Sequence, residues 1–247
     1  AEIAAKAPAD GYTLLQFTQS HAVNVSLYKS LGYDTVRDFA PITKLDLSPL
    51  VVVVHPSLPV KTVGELVKLA KARPGAINYG SAGVGTSTYL ATELFKATAG
   101  IYLVEVPYRG GAPAQTAVLA GEVSVYFAPI ATALPFVKDR RLRALAVGSA
   151  RRLPMLPDVP TVAESGYPDY EASNWHGLVA PAKTPKEIIV ALHTAAVAAL
   201  KKPDTAKRLL DLGLTPVGDS PEEFAAFIRA DIEKWRKVVQ QKGITAE

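Results

Sequence analysis

Cysteine is absent from the 247 residues. Disulfides, thiol nucleophiles and thiolate metal sites are therefore excluded together. Long apolar runs are missing as well. The longest, Leu50–Val54, is the size of a strand and far short of the roughly 20 residues that a membrane-spanning helix needs. A surplus of one charge is also lacking, since the formal net charge is only +4 and is spread along the chain. The densest basic run is Lys138, Arg140, Arg141 and Arg143, followed by Arg151 and Arg152. It has no interleaved aromatics and no binding motif, so it reads as solvated surface rather than a nucleic-acid interface. The histidines, His21, His55, His176 and His193, are scattered without H-x-x-x-H spacing, and no paired carboxylates stand at metal-ligand spacing. No metal or cofactor is expected. A Ser–His–Asp set assembled in three dimensions stays open, but no local motif proposes one.

What remains is ordinary globular composition, with 49% hydrophobic and 20% charged residues. That composition argues against disorder over any long stretch. The length suits one large domain or two lobes. Short β-rich runs alternate with helical patterns that carry start and stop signals. Strands are expected at Tyr12–Thr18, Leu50–His55, Ala76–Gly80, Tyr102–Tyr108, Val123–Phe127, Leu142–Val147 and Asn174–Ala180. Between them fall helices at Val63–Ala72, Thr86–Ala97, Pro113–Ala120, Thr132–Lys138 and a short Thr161–Ser165. Thr62 with Glu65, and Ser220 with Glu223, form capping boxes. Thr184-Pro185-Lys186-Glu187 opens a helix running to about Leu200, and Asp204–Leu212 is the next. The last helix carries Phe224, Phe227, Ile228, Trp235, Val238 and Val239 along one face. This rhythm is that of parallel α/β sheets. The organisation expected is α/β in two lobes, residues 1–55 plus 172–247 and residues 56–171, joined by the crossings Leu50–His55 and Asn174–Ala180.

The most informative stretch is Tyr79-Gly80-Ser81-Ala82-Gly83-Val84-Gly85-Thr86-Ser87, which leaves a strand and enters a helix. Such a turn gathers main-chain N–H groups at a helix N-terminus, where the dipole favours an anion. Ser81, Thr86 and Ser87 would add hydroxyl donors. A P-loop would end in Gly-Lys-Ser/Thr, and this turn has no lysine. A dinucleotide fingerprint would read G-x-G-x-x-G, and a nucleophile elbow G-x-S-x-G; neither order occurs here. A carboxylate held by neutral donors remains, beside the plainer possibility of a tight packing turn. Pro107-Tyr108-Arg109-Gly110-Gly111 is a second turn of the same kind, and in open α/β sheets ligands bind at the carboxyl ends of strands. Arg109 there would reach a second carboxylate or simply face solvent. Ala128, in Phe127-Ala128-Pro129-Ile130, would supply an apolar wall. In the polar turn after Tyr12–Thr18, His21 with Thr18 and Ser20 is the histidine expected near a ligand. His55 and His193 are expected to be structural, and Trp175 and His176 to pack the second crossing.

These stretches resemble the Bug family, the substrate-binding proteins of tripartite tricarboxylate transporters. The resemblance is carried by Asp10–Leu15, Asp38–Ile42, Gly80–Thr86, Pro107–Gly111, Leu142–Val147, Leu156–Thr161 and Ser220–Phe224, an ordered series along nearly the whole chain. It implies a two-lobed periplasmic binding protein fold of type II. It also implies a monomer in the periplasm that binds a small carboxylate between its lobes and passes it to membrane transporter subunits. Sensing for signalling, or catalysis on a similar scaffold, are the alternatives. In the family, main-chain N–H groups and bridging waters of two facing loops hold the ligand. Gly80, Ser81, Ala82, Gly83, Gly85, Thr86 and Ser87 look like one such loop. The other, with a first strand and a signal peptide, would precede residue 1. Members that accept amino acids place an acidic residue near the end of the strand matching Val123–Phe127, where this chain has Ser124 and Ala128. A simple mono- or dicarboxylate is the ligand this implies.

Overall fold

The structure is a computed structural model and describes residues 1–244. It divides into two units, one of Ala1–Leu47 with the chain from Trp175 onward, the other of Ser48–Asn174. The first division falls earlier in the chain than His55. The reason lies in β2 (Phe39–Val54), which begins well before the apolar run that announces it. Leu50–Val54 is almost wholly excluded from solvent and pairs on one side with β5 (Val125–Pro129) and on the other with β6 (Arg143–Val147). Val and Leu at every position suit a strand covered on both faces. The run therefore belongs to the unit that covers it.

In the second unit β3 (Asn78–Ser81) lies parallel to β5 and to β4 (Val104–Pro107). The order across this sheet is β6, β2, β5, β3, β4, with β2 antiparallel to its two neighbours. Helix α3 (Val63–Ala72) is opened by Thr62, whose side chain accepts from the Glu65 N–H, as the capping pattern requires. Helix α4 (Ser87–Ala99) joins β3 to β4, and α5 (Gly111–Ala120) joins β4 to β5. Gly100 and Gly121 close them in the left-handed region, at φ 62° and 76°. Short α6 (Ile130–Lys138) follows β5 directly. Because β3, β4 and β5 run the same way, their carboxyl ends reach one edge of the sheet. The turns after them gather there. Beneath lies a core of Val51, Val53, Ala114, Val118, Tyr126, Ala128, Ile130 and Leu134. The expected helix Thr161–Ser165 is only a turn. Thr161 and Glu164 exchange hydrogen bonds as in a capping box, but Gly166 at φ 104° ends the run.

The first unit opens with a short α1 (Glu2–Ala5) and β1 (Leu15–Thr18). Strand β7 (Ser173–Pro181) pairs antiparallel with β1 and neighbours β2, while β8 (Thr215–Pro216) pairs with Asp46 and Leu47 of β2. Gln19–His21, expected as a turn, is instead the first turn of α2 (Gln19–Leu27). Polar Gln, Ser and His hide a helix start that a hydrophobic period alone does not show. Helix α7 (Lys186–Leu200) begins with Pro185 rather than Thr184 as its N-cap, and α8 (Pro203–Asp211) follows. In α9 (Pro221–Lys242) the Ser220–Glu223 box forms, and Phe224, Ile228, Ile232 and Trp235 are buried. Phe224 and Phe227 meet the Trp175 indole edge-on, and its N–H donates to Asp231 at 2.9 Å. Burial raises the Asp231 carboxyl above its usual range, against the opposing pull of that bond. Asp219 fastens β2 to the start of α9 by accepting from the Lys44 N–H at 2.7 Å, while its main-chain carbonyl accepts from the Thr43 hydroxyl.

Candidate functional site

Three strand-to-helix turns carry the side chains of interest, one in the first unit and two in the second. In the first unit Thr18 is the N-cap of α2, with extended φ of −139°. Its N–H donates to His21 Nδ1 at 3.1 Å, and its hydroxyl lies 3.2 Å from the same nitrogen. The His21 ring stacks on Phe17 with centroids 4.5 Å apart. Burial holds the His21 pKa below the usual imidazole range. A neutral ring whose Nδ1 accepts must carry its proton on Nε2. Ser20 stands in the same first turn, half-buried. Thr18, Ser20 and His21 are thus brought together, and Thr18 and His21 are chiefly occupied with each other.

The second turn, between β3 and α4, is braced by its own hydroxyls. Ser81 is fully buried; its hydroxyl donates to Glu105 of β4 at 2.5 Å and accepts from the Gly83 N–H at 3.1 Å. Thr88 accepts from the Ala82 N–H at 2.9 Å. Thr86 caps α4 and donates to the Gly83 carbonyl at 2.6 Å. Gly83 and Gly85 sit at φ 108° and 79°, a region in which a Cβ is strained. Every bond named here runs within the protein. The N–H groups of Val84, Gly85 and Ser87 take part in none of the hydrogen bonds among the described residues. They stand at the N-terminus of a 13-residue helix, where its dipole is positive. Chemically, the turn offers neutral main-chain donors on a rigid frame.

That arrangement gives several of the expected residues work within the protein. Ser81 and Thr86 do not present hydroxyls outward; they hold the backbone in shape. Gly80 is buried, and a Cβ on it would come within 3.3 Å of Val123 Cγ2, so its glycine serves the packing of β3. Ala128 is fully buried in the core opposite Val51. Ala82, Gly83, Gly85 and Ser87 remain in the turn itself. Thr88 and Glu105, which complete the bracing, were not singled out from sequence. A threonine one residue into a helix and a glutamate in a strand carry no local signal of that role.

The third turn, between β4 and α5, is open by contrast. Tyr108 N–H donates to the Ser81 carbonyl at 2.9 Å, which sets this turn beside the second. Gly110 has φ 111°, and the space a Cβ would occupy there is empty. Arg109 is exposed and has no partner among the described residues. Of the other histidines, His55 Nδ1 meets Ser57 Oγ at 2.7 Å, His176 Nδ1 meets Asp46 at 2.8 Å, and His193 Nε2 meets the Asp219 carbonyl at 3.1 Å. Among the described residues no group of three His, Asp or Glu is placed to hold a metal ion.

Residues 1–244 match the model of the tripartite tricarboxylate transporter family receptor. Protein BugT of Bordetella pertussis is 36% identical over 241 residues, 97% of this chain and 74% of that protein. Among solved structures, R. palustris Rpa4515 with adipate superposes with a TM-score of 0.94 at 36% identity, covering 99% of this chain and 82% of that one. MatC of Rhodopseudomonas palustris, with bound malate, gives a TM-score of 0.90 at 30% identity over 96% of this chain and 82% of its own. The fold is that of the periplasmic binding proteins.

Proposed function

The chain belongs to the tripartite tricarboxylate transporter receptor family, and we propose that it is a solute receptor that captures a small carboxylate for the membrane subunits of such a transporter. One observation carries the reading: the β3–α4 turn spends its side chains on its own geometry and leaves the N–H groups of Val84, Gly85 and Ser87 available at a helix N-terminus. Backbone donors with a positive dipole behind them suit an anion. No lysine or arginine lies in the turn, so the anion is held by neutral donors, as a carboxylate of one charge can be. The relatives solved with adipate and with malate support this ligand class. A receptor that feeds a transporter works outside the cytoplasmic membrane, which places it in the periplasm. No helix among the described residues is long and apolar enough to cross a membrane.

A simple mono- or dicarboxylate is the proposed ligand rather than an amino acid, because β5 ends in Ala128 and Pro129 and offers no carboxylate to an ammonium group. The test is a thermal-shift screen against C3–C8 mono- and dicarboxylates, amino acids and phosphate. Ligand at 100 times its dissociation constant stabilises by about 2.7 kcal/mol, a rise of about 5–10 °C for a chain of this size. A selective rise with a carboxylate is expected. Aspartate or glutamate binding tighter than succinate-like acids would overturn the ligand preference, and a response confined to phosphate would overturn the class.

A further inference from the structure

In the first unit a recess of about 680 Å³ lies among α2, the segment that follows it and α9. Val25, Leu31, Tyr33 and Ile232 are among its apolar lining. A smaller gap of about 130 Å³ stands next to it, and Thr35, Val36 and Arg229 line both. Every other side chain around the gap is apolar. Phe17, Phe39, Val179 and Ile228 among them belong to the buried core of this unit. The two spaces therefore form a hollow that reaches from the surface into the core.

The wall shared by the two spaces is fixed in advance. Asp34 accepts from the N–H groups of Val36 and Arg37 at 2.9 and 2.8 Å. Asp38 accepts from the Asp34 N–H at 2.7 Å, and the Thr35 hydroxyl donates to the His21 carbonyl at 3.3 Å. Tyr33 meets Phe39 edge-on, and Phe39 meets Phe17 at 5.0 Å, so an aromatic row leads from the recess into the gap. A preformed wall lowers the ordering cost of binding. Charge is the second observation. The recess is lined by the cations Lys29, Arg37, Arg229 and Arg236 and by the carboxylates Asp34 and Glu233. Both carboxylates are already paired, Asp34 with Arg37 at 2.7 Å and Glu233 with Arg236 at 2.6 Å. Arg229, on the boundary of recess and gap, makes no hydrogen bond or ion pair among the described residues.

We propose that this hollow is a second ligand site, for a monocarboxylate with a single aromatic ring, its ring in the gap and its carboxylate on Arg229. The recess has the size of small-ligand sites, roughly 300–1,000 Å³. The gap is close to the roughly 150 Å³ that holds a benzene ring in an apolar cavity. Water would find few polar partners there, whereas a ring meets Phe17, Phe39 and Ile228. The guanidinium can donate to both oxygens of one carboxylate. A dicarboxylate gains nothing from the gap, because its second charge would enter an apolar place. The site lies wholly in the first unit and does not rest on the receptor reading, whose anion-binding turn belongs to the second.

The experiment is calorimetric titration of the whole chain with phenylacetate, and with acetate and benzyl alcohol as its two halves. Phenylacetate should bind about 10-fold tighter than either half, or more. Arg229→Gln should lower its affinity about 10-fold. That variant should keep the ligand-free melting temperature, since Arg229 is exposed and unpaired. Ala225→Leu, which puts bulk into the gap, should lower the affinity as well. Gly83→Asp, altered in the other unit, should still bind one phenylacetate. Affinity no better than that of the halves, or affinity unchanged in Arg229→Gln, overturns the site. So does a folded Gly83→Asp chain that no longer binds phenylacetate. Sedimentation tests a different occupant: a dimer that Arg229→Gln dissociates would overturn the site by seating a second copy of the chain in the hollow. None of these results touches the receptor reading, which stands on its own screen.

Discussion

The two turns at the carboxyl edge of the second unit's sheet have nearly the same recipe, a strand, a pair of glycines and a helix, yet they are finished differently. In the turn after β3, Ser81, Thr86 and Thr88 tie the backbone to itself and to Glu105. In the turn after β4, the space at Gly110 is open and Arg109 faces solvent. Hydroxyls in a glycine-rich turn thus need not be ligands. Where they are buried, as at Ser81, they hold the main chain in shape instead.

The comparison can be broken most severely at Gly83. Gly83→Asp forces a side chain into φ 108° and adds a negative charge beside the donors. Carboxylate affinity by calorimetry should fall about 100-fold or more, and unchanged affinity would move the site elsewhere. Ser81→Ala should come next, because it strips Glu105 of its donor and Gly83 N–H of its acceptor in a buried place. Denaturant unfolding should show a loss of about 1–3 kcal/mol. Thr86→Ala removes only the helix cap and the Gly83 tie, and about 1 kcal/mol is expected. The open turn should respond in the opposite manner. Arg109→Ala, at an exposed position, should change stability by no more than about 0.5 kcal/mol, and any effect should appear in the affinity for dicarboxylates. A large loss of stability there would erase the distinction between the turns.

The first unit sharpens the comparison through pH. The folded-state pKa of His21 lies below its unfolded value, so the folded chain resists the proton that the unfolded chain accepts. Its contribution is intact above the unfolded imidazole pKa near 6.5 and is lost as pH falls below it. Protonation also ends the acceptance of the Thr18 N–H by Nδ1. Thermal melts of the native chain should lose more stability between pH 7 and pH 5 than those of His21→Asn. Equal slopes would show that the Thr18–His21 turn is not a titrating element. The β3–α4 turn of the second unit has no imidazole, and its bracing should not follow that trend.

Capping signals were legible where the Ser/Thr–x–x–Glu spacing or a closing glycine announced them, but not at Thr18, where the box partner is His21. Thr62 and Ser220 capped the helices that their spacing announced, and Gly100 and Gly121 ended theirs. Alternation gave the strand–helix rhythm, because burial on one or both faces writes itself into neighbouring residues. The first half of β2 escaped, since Pro41, Lys44 and Asp46 interrupt any apolar pattern there. Lys44 is instead accommodated by Asp219 and by the Phe227 ring, 3.5 Å from its ammonium. No reading of a short window finds a partner so far along the chain.

The sequence by itself determined the order of elements, their caps, the glycine turns and, through the series of matching motifs, the family. Those properties depend on contacts between near neighbours or on text that can be compared directly. Only the tertiary structure decided which hydroxyls brace and which groups stay free. Ser81 met Glu105 because β3 and β4 lie side by side, and Ala128 was withdrawn into the core by its pairing with Val51. A side chain's hydrogen-bonding capacity is fixed by its chemistry, but whether that capacity is spent depends on what the fold places within about 3 Å of it.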